Sequence, residues 1–192
     1  MQKAAAGKPD ALVLIAYPEN GLTILKQSLE EGLFKAFIFT DGMKAPEVIQ
    51  QIGAEHLNGA IGTAPEAVAD SPAAKNFRSA YQKEYGELPP KPFIDAFYDA
   101  TMLIGLAIEK AGSGDRKAIH NALRDVANPP GEPILPGEFA KAKELIKAGK
   151  KIDYVGAAGA DNFDKNGDIG GTFAYWKIDG GKIVTVRVFE PK

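Results

Sequence analysis

The chain's 192 residues are 45% hydrophobic and 25% charged, enough for one full-sized domain or two smaller halves around a real core, and too apolar for intrinsic disorder. Its 23 Lys and Arg against 25 Asp and Glu leave a formal net charge of -2, so no overall field draws it to nucleic acid or anionic lipid. With no cysteine it forms no disulfide, thiolate metal site or Cys nucleophile, and zinc would need an unusual set of carboxylates.

The opening MQKAAAGKPD reads as the last turns of a helix, with Gly7 able to take a left-handed cap and Pro9 preventing continuation. Met1 to Gly7 lacks the basic start, the apolar run of about 7–15 residues and the small cleavage-site residues of a secretory signal. On that ground the chain is expected to be cytosolic, or else mature or truncated. Ala11 to Ala16 (ALVLIA) is a continuous apolar run, the pattern of a strand buried on both faces of a parallel sheet. Pro18, Asn20 and Gly21 make a turn, after which Leu22, Leu25, Leu29 and Leu33 recur at helical spacing and Gly32 closes the helix.

Ala36 to Thr40 reads as a second buried strand, Asp41-Gly42 as its turn, Pro46 to Ile52 as a short helix, and Ala60 to Thr63 as a third strand. Strands alternating with helices predict an α/β fold with a mostly parallel sheet and right-handed crossovers. From Ser71-Pro72 an amphipathic helix runs to about Gly86, marked by Ala74, Phe77, Ala80 and Tyr81, and Leu88 to Pro92 is a stiff connector. The longest predicted helix is Phe93 to Ala111, with an apolar face of Ile94, Phe97, Ala100, Met102, Leu103, Leu106 and Ala107. Gly112 ends it, and Asp115 caps the next helix, Arg116 to Val126.

Proline-rich Asn128 to Gly137 is expected to be an irregular loop, and Glu138 to Ala148 a Lys-rich helix. At the end of the chain, Thr172 to Ile178 and Ile183 to Phe189 alternate on a two-residue period about Asp179-Gly180-Gly181, which predicts a hairpin. No stretch approaches the roughly 20 apolar residues needed to span a bilayer as a helix.

Two residues stand where ligands bind in open α/β sheets, just past the carboxyl ends of strands. Tyr17 follows the first strand, and its ring either lines a ligand cleft or closes the core beneath the turn. Asp41 follows the second, where its carboxylate either pairs with a cationic ligand group such as an ammonium or serves the Asp-Gly turn. Asp164, Asn166 and Asp168 have the spacing of a calcium loop, but the sixth and twelfth positions hold Ile169 and Tyr175 instead of Gly and Glu, so the segment reads as a turn. No nucleophile set, metal cluster or phosphate-binding loop emerges, so an enzyme is not expected and no cofactor is implied. His56 and His120 are expected at the surface, and Trp176 in the core or an interface.

The segments LVLIAYPENGLTILKQSLEEGL, FIFTDGM and PGEFAKAKELIKAGKKIDYVGAAGADNFDKNGDIGGTFAYWKIDGGKIVTV resemble the second half of a periplasmic solute-binding protein of the branched-chain amino acid type. Such a protein is the receptor subunit of an ABC importer. The resemblance implies a type I periplasmic binding protein-like fold of two lobes, incomplete in this chain. Met1 to about Ala64 and Gly171 to Lys192 would belong to the second lobe, and about Pro65 to Gly170 to the first. It also implies capture of an amino acid between the lobes, a membrane permease as partner, a periplasmic location, and Tyr17 and Asp41 as ligand contacts, Asp41 holding the ammonium. The family's anchors for the ligand carboxylate lie in a segment this chain lacks, so weak binding is expected, with the uncovered sheet edges and faces met either by self-association or by a partner fragment. A regulatory sensor of amino acids or amides on the same fold is the alternative.

Overall fold

The structure is a computed structural model that describes residues 1–191. It divides into two compact units: residues 1–66, 90–92 and 173–191 form unit 1, and residues 67–89 and 93–172 form unit 2.

Unit 1 begins with one helical turn, α1 (Gln2–Ala5), after which Lys8 rather than Gly7 takes the left-handed conformation. Strand β1 (Leu12–Leu14) leads to α2 (Pro18–Glu30), β2 (Phe37–Phe39) to a single 3₁₀ turn (Asp41–Met43), and α3 (Pro46–Ile52) and α4 (Ala54–Leu57) precede β3 (Ile61–Pro65). Proline opens both α2 and α3, where its missing N–H costs nothing, and Gly32 ends α2 at a φ of 62°. The final hairpin, β6 (Phe173–Asp179) and β7 (Lys182–Phe189), turns through Gly180 and Gly181, both at positive φ as a tight two-residue loop requires.

These strands form one sheet in the order β1-β2-β3-β6-β7, parallel among the first three and antiparallel beyond. One face is packed: Leu14, Phe37, Phe39, Ala64, Trp176 and Ile178 are buried with Leu25, Val48, Ile52 and Leu57 of the helices. The opposite face is open. Val13 is 61% exposed, Ile15 80% and Ile38 36%, so the ALVLIA run is buried on one face only, contrary to the reading of a strand covered on both. Trp176 is fully buried, and Lys91 of the Pro90–Pro92 segment donates to Glu47 of α3 at 2.7 Å.

Unit 2 holds α5 (Pro72–Tyr85), α6 (Ile94–Ala111), α7 (Arg116–Ala127), β4 (Glu132–Ile134), α8 (Phe139–Lys147) and β5 (Ile152–Tyr154). Ser71 caps α5 by accepting from the Ala74 N–H, and the Asp115 carboxylate caps α7 by accepting from Lys117 and Ala118. Leu103, Leu106 and Ala107 of α6 pack with Ala122 and Val126 of α7 over Ile134, Ile152 and Tyr154. Two sequence expectations are corrected here. The proline-rich segment is not wholly irregular, because β4 lies within it and pairs in parallel with β5, which the sequence reading passed over. On α6, Phe97 and Ala100 point to solvent and Asp99 is buried in their stead. Among the described residues no helix is long and apolar enough to cross a membrane.

Candidate functional site

The carboxyl ends of β1, β2 and β3 bring three loops together along one edge of the unit 1 sheet. Tyr17 is the N-cap of α2 in extended backbone; its N–H donates to Asn20 Oδ1 at 3.3 Å, and its carbonyl accepts from Gly21 N–H at 2.8 Å. These bonds fix the backbone and leave the ring free, 59% exposed. The ring therefore does not close the core. Asp41 opens the 3₁₀ turn after β2 and is half-buried; its carbonyl accepts from Lys44 N–H at 3.0 Å.

Gly42 joins the two. A Cβ there would overlap the Ala16 carbonyl oxygen and stand 2.9 Å from Cδ1 of Tyr17, so the turn carrying Asp41 lies directly against the Tyr17 ring and only glycine fits. Gly21 seats the start of α2 on the buried Met43 in the same way, since an added Cβ would come within 2.8 Å of the Met43 methyl carbon. The parallel register of Leu12 to Leu14 with Phe37 to Phe39 sets the two strand ends level.

The third loop supplies Glu66, directly after β3, which forms an ion pair with Lys44. Lys44 is only 7% exposed, so its ammonium is neutralised within the protein rather than offered to solvent. Sequence reasoning passed over this pair; the signal available was a lysine three residues after Asp41, in a turn. Among the described residues no side-chain hydrogen bond or ion pair engages the Asp41 carboxylate. The edge thus presents an uncommitted carboxylate beside an exposed aromatic ring, over a buried and compensated cation.

The other sequence candidates behave as turns and surface. Asp164 Oδ1 accepts from the N–H groups of Asn166 and Asp168 at 2.8 and 2.9 Å, which is how an Asx-type turn uses its carboxylate. Those bonds, chiefly the one from Asp168, hold the exposed Asp164 carboxyl below its ordinary range. Among the described residues no group of three or more His, Asp or Glu is arranged to hold a metal ion.

A second polar centre, in unit 2, is one the sequence reading missed. Asp99 is 1% exposed and accepts from Tyr154 Oη at 2.7 Å, Ala157 N–H at 2.8 Å and Ala158 N–H at 2.7 Å. Burial raises its carboxyl above the ordinary range against the pull of these donors, and burial with the Asp99 charge raises the Tyr154 hydroxyl.

Comparison with known proteins places the chain. Residues 1–166 match the periplasmic binding protein family. The chain belongs to that family. Among its relatives, the chemotactic signal transduction system substrate-binding protein BasB of Halobacterium salinarum is 34% identical over 156 residues, covering 81% of this chain and 36% of its own length. A leucine-, isoleucine-, valine-, threonine- and alanine-binding protein of Pseudomonas aeruginosa is 32% identical over 108 residues, 56% of this chain and 28% of that protein. The crystal structure of a leucine binding protein, LivK, from Thermotoga maritima superposes with a TM-score of 0.71 at 28% identity, covering 99% of this chain and 47% of that one. This periplasmic binding protein chain therefore spans about half the length of LivK and about a third of the curated relatives it matches.

Proposed function

We propose that this chain supplies one wall of an amino acid receptor site, within a substrate-binding protein that serves an ABC importer. The carrying observation is the uncommitted Asp41 carboxylate on a turn that Gly42 lets lie directly against the exposed Tyr17 ring. A half-buried carboxylate with no internal partner can pair with an ammonium, and the charge-assisted bond gains from the reduced local dielectric. Tyr17 adds an amphipathic surface beside it, suited to the apolar part of a ligand with a polar edge. The likeness to the leucine binding protein LivK and to the leucine-, isoleucine-, valine-, threonine- and alanine-binding protein of Pseudomonas aeruginosa favours leucine and similar amino acids.

In this reading units 1 and 2 belong to the second and first lobes of the receptor, the role is capture rather than catalysis, the location is the periplasm, and the membrane partner is a permease. The rest of the receptor holds the ligand carboxylate, so this chain alone binds amino acids weakly. Calorimetry showing micromolar binding by the isolated chain would contradict that. In a protein of full receptor length, Asp41→Ala is expected to lower affinity for zwitterionic amino acids at least about tenfold, or roughly 1.4 kcal/mol; a smaller loss removes the ammonium assignment.

BasB favours a second reading, in which the same site feeds a signalling partner instead of a permease. Pull-down from a strain carrying both classes of membrane partner separates the two. The open sheet face supports one further association. Val13, Ile15 and Ile38 stand exposed next to the edge strand β1, and we propose that two copies of this chain cover them together. Light scattering should then give twice 20.4 kDa, whereas a persistent 20.4 kDa species refutes it.

A further inference from the structure

Beyond the Asp41 edge, unit 2 contains a carboxyl pair that the amino acid site does not use. Asp99 comes from α6 and Asp161 from the segment after β5, and their Oδ2 atoms converge on Gly156. A Cβ at Gly156 would overlap the Asp161 oxygen and stand 2.6 Å from the Asp99 one, so both oxygens face the same position beside Gly156 and only glycine leaves room for them. Asp161 is 9% exposed, and its Oδ2 is buried without a hydrogen-bond partner.

The two carboxyls differ in what surrounds them. Asp99 takes three donors, two on Oδ1 and only one, the Ala158 N–H, on Oδ2, so Oδ2 keeps a free lone pair. Asp161 has no donor at Oδ2, and its near neighbour is another carboxyl oxygen. Two ionised carboxylates so placed repel in a medium of low dielectric, while a neutral acid carrying its proton on Oδ2 is itself a donor. The remaining side chains that act on the pair are Asp95 of α6 and Tyr154 of β5, with Tyr98 of α6 acting on Tyr154, and none of them is cationic. Among the described residues no lysine or arginine pairs with either carboxyl. A proton is thus the one compensating charge that fits.

We propose that Asp161 and Asp99 share a single proton, passed from Asp161 Oδ2 toward Asp99 Oδ2, and that this proton closes the segment from Val155 to Asp161 onto α6. The segment is short; its start is tied to β4 by the bond from Val155 N–H to the Ile134 carbonyl at 2.9 Å, and beyond that, apart from the bonds to Asp99, it is held by the Val155–Ala160 bridge and the bond from Gly159 N–H to the Gly156 carbonyl at 3.3 Å. It leads into Phe163, whose N–H and carbonyl are bound by the Asn128 side chain on the neighbouring helix end. Loss of the proton leaves two buried negative charges facing each other and loosens the segment between these anchors.

The pH range follows from the sign of the shift. Burial, and after it the Asp99 charge, pushes the Asp161 carboxyl up to about 7, against an ordinary value near 4. The folded chain therefore holds this proton more tightly than the unfolded chain. The stability it contributes is complete below about pH 4 and is lost as the pH rises through about 7.

Two measurements on the whole chain test this. Carboxyl carbon NMR of Asp161 in the unaltered protein should show a titration midpoint near neutrality, and a midpoint in the ordinary range near 4 overturns the proposal without any variant. Hydrogen exchange at Ala157 and Ala158, whose N–H groups bind Asp99, gives the local consequence. Corrected for intrinsic rates, their protection should fall at least about tenfold between about pH 5 and about pH 8.5. In Asp161→Asn, whose amide imitates the neutral acid and can donate to Asp99, protection should stay high across that range. An equal fall in the variant overturns the proposal; if the variant does not fold, the carboxyl titration decides alone.

Discussion

Gly62 is where the packing beneath the Asp41 edge can be tested most sharply. A Cβ on Gly62 would stand 2.6 Å from Cε2 of Trp176 and 2.9 Å from the Phe39 carbonyl oxygen. Carbon atoms rest at about 3.5–4.0 Å, so in Gly62→Ala the indole must withdraw by roughly 1 Å. It has nowhere free to go. Trp176 is fully buried and stacks on Phe39 at 6.1 Å and 17°, and Phe39 is the last residue of β2 before Thr40 and Asp41. Overpacking of this kind costs about 1–3 kcal/mol, and with a urea slope of about 2 kcal/mol/M the midpoint of unit 1 should drop by about 1 M. Trp176 is the chain's single tryptophan, so its fluorescence follows the displaced ring directly. Trp176→Phe, which removes the ring atoms in conflict, should cost about 1–2 kcal/mol alone but restore at least about 1 kcal/mol when combined with Gly62→Ala. Circular dichroism reads all four proteins of the cycle. Simple additivity of the two substitutions would refute the claim that Gly62 is required by the indole.

Gly42→Ala is expected to cost about 1–3 kcal/mol, because its Cβ meets the Ala16 carbonyl and the Tyr17 ring; a loss under about 0.5 kcal/mol in urea unfolding would show that the turn can give way. Asp115→Ala removes the acceptor of the Lys117 and Ala118 N–H groups and should lower the stability of unit 2 by about 1 kcal/mol, with no change at Asp115→Asn beyond a few tenths.

How far the sequence carried the fold depends on whether local chemistry and tertiary packing agree. The starts of α3, α5 and α7 were readable because Pro46, Ser71 and Asp115 act through bonds made or avoided within one turn. The hairpin was readable for the same reason, since Gly180 and Gly181 supply the positive φ that the loop needs. By contrast β4 and β5 are three residues each, and β4 carries Pro133 at its centre, so neither shows a period long enough to detect. Their pairing is a long-range event that only the closed structure reveals.

The Asp41 edge was legible for a topological reason: carboxyl ends of parallel strands are where loops converge, and both Tyr17 and Asp41 stand one turn past such an end. What the sequence could not supply was the part played by Gly42, which depends on contact between two strands' loops. Asp99 was hidden differently. It lies four residues before Leu103 and seven before Leu106, on the same stripe of α6 that those buried leucines mark. A carboxylate on an apolar stripe was the available signal, and reading the stripe only for its apolar members gave Phe97 the place that Asp99 holds.

The ALVLIA run carries a related lesson in the other direction. A sheet with helices on one side and water on the other would alternate apolar with polar residues, yet Val13 and Ile15 occupy the outward positions. Burying one such side chain is worth about 1.5–3 kcal/mol, so Val13 on the edge strand, Ile15 just past its end and Ile38 beside Val13 in register together gain by being covered. The chain spans about half the length of LivK, and unit 1 has no element of its own over this face among the described residues. The proposed pairing of two copies through β1 therefore makes a specific demand: Ile15→Lys, which places a charge on the most exposed of these three side chains, should convert a 40 kDa-class species (about twice the chain mass) to the 20.4 kDa chain without unfolding it. Retention of the larger mass by that variant would move the contact elsewhere on the molecule.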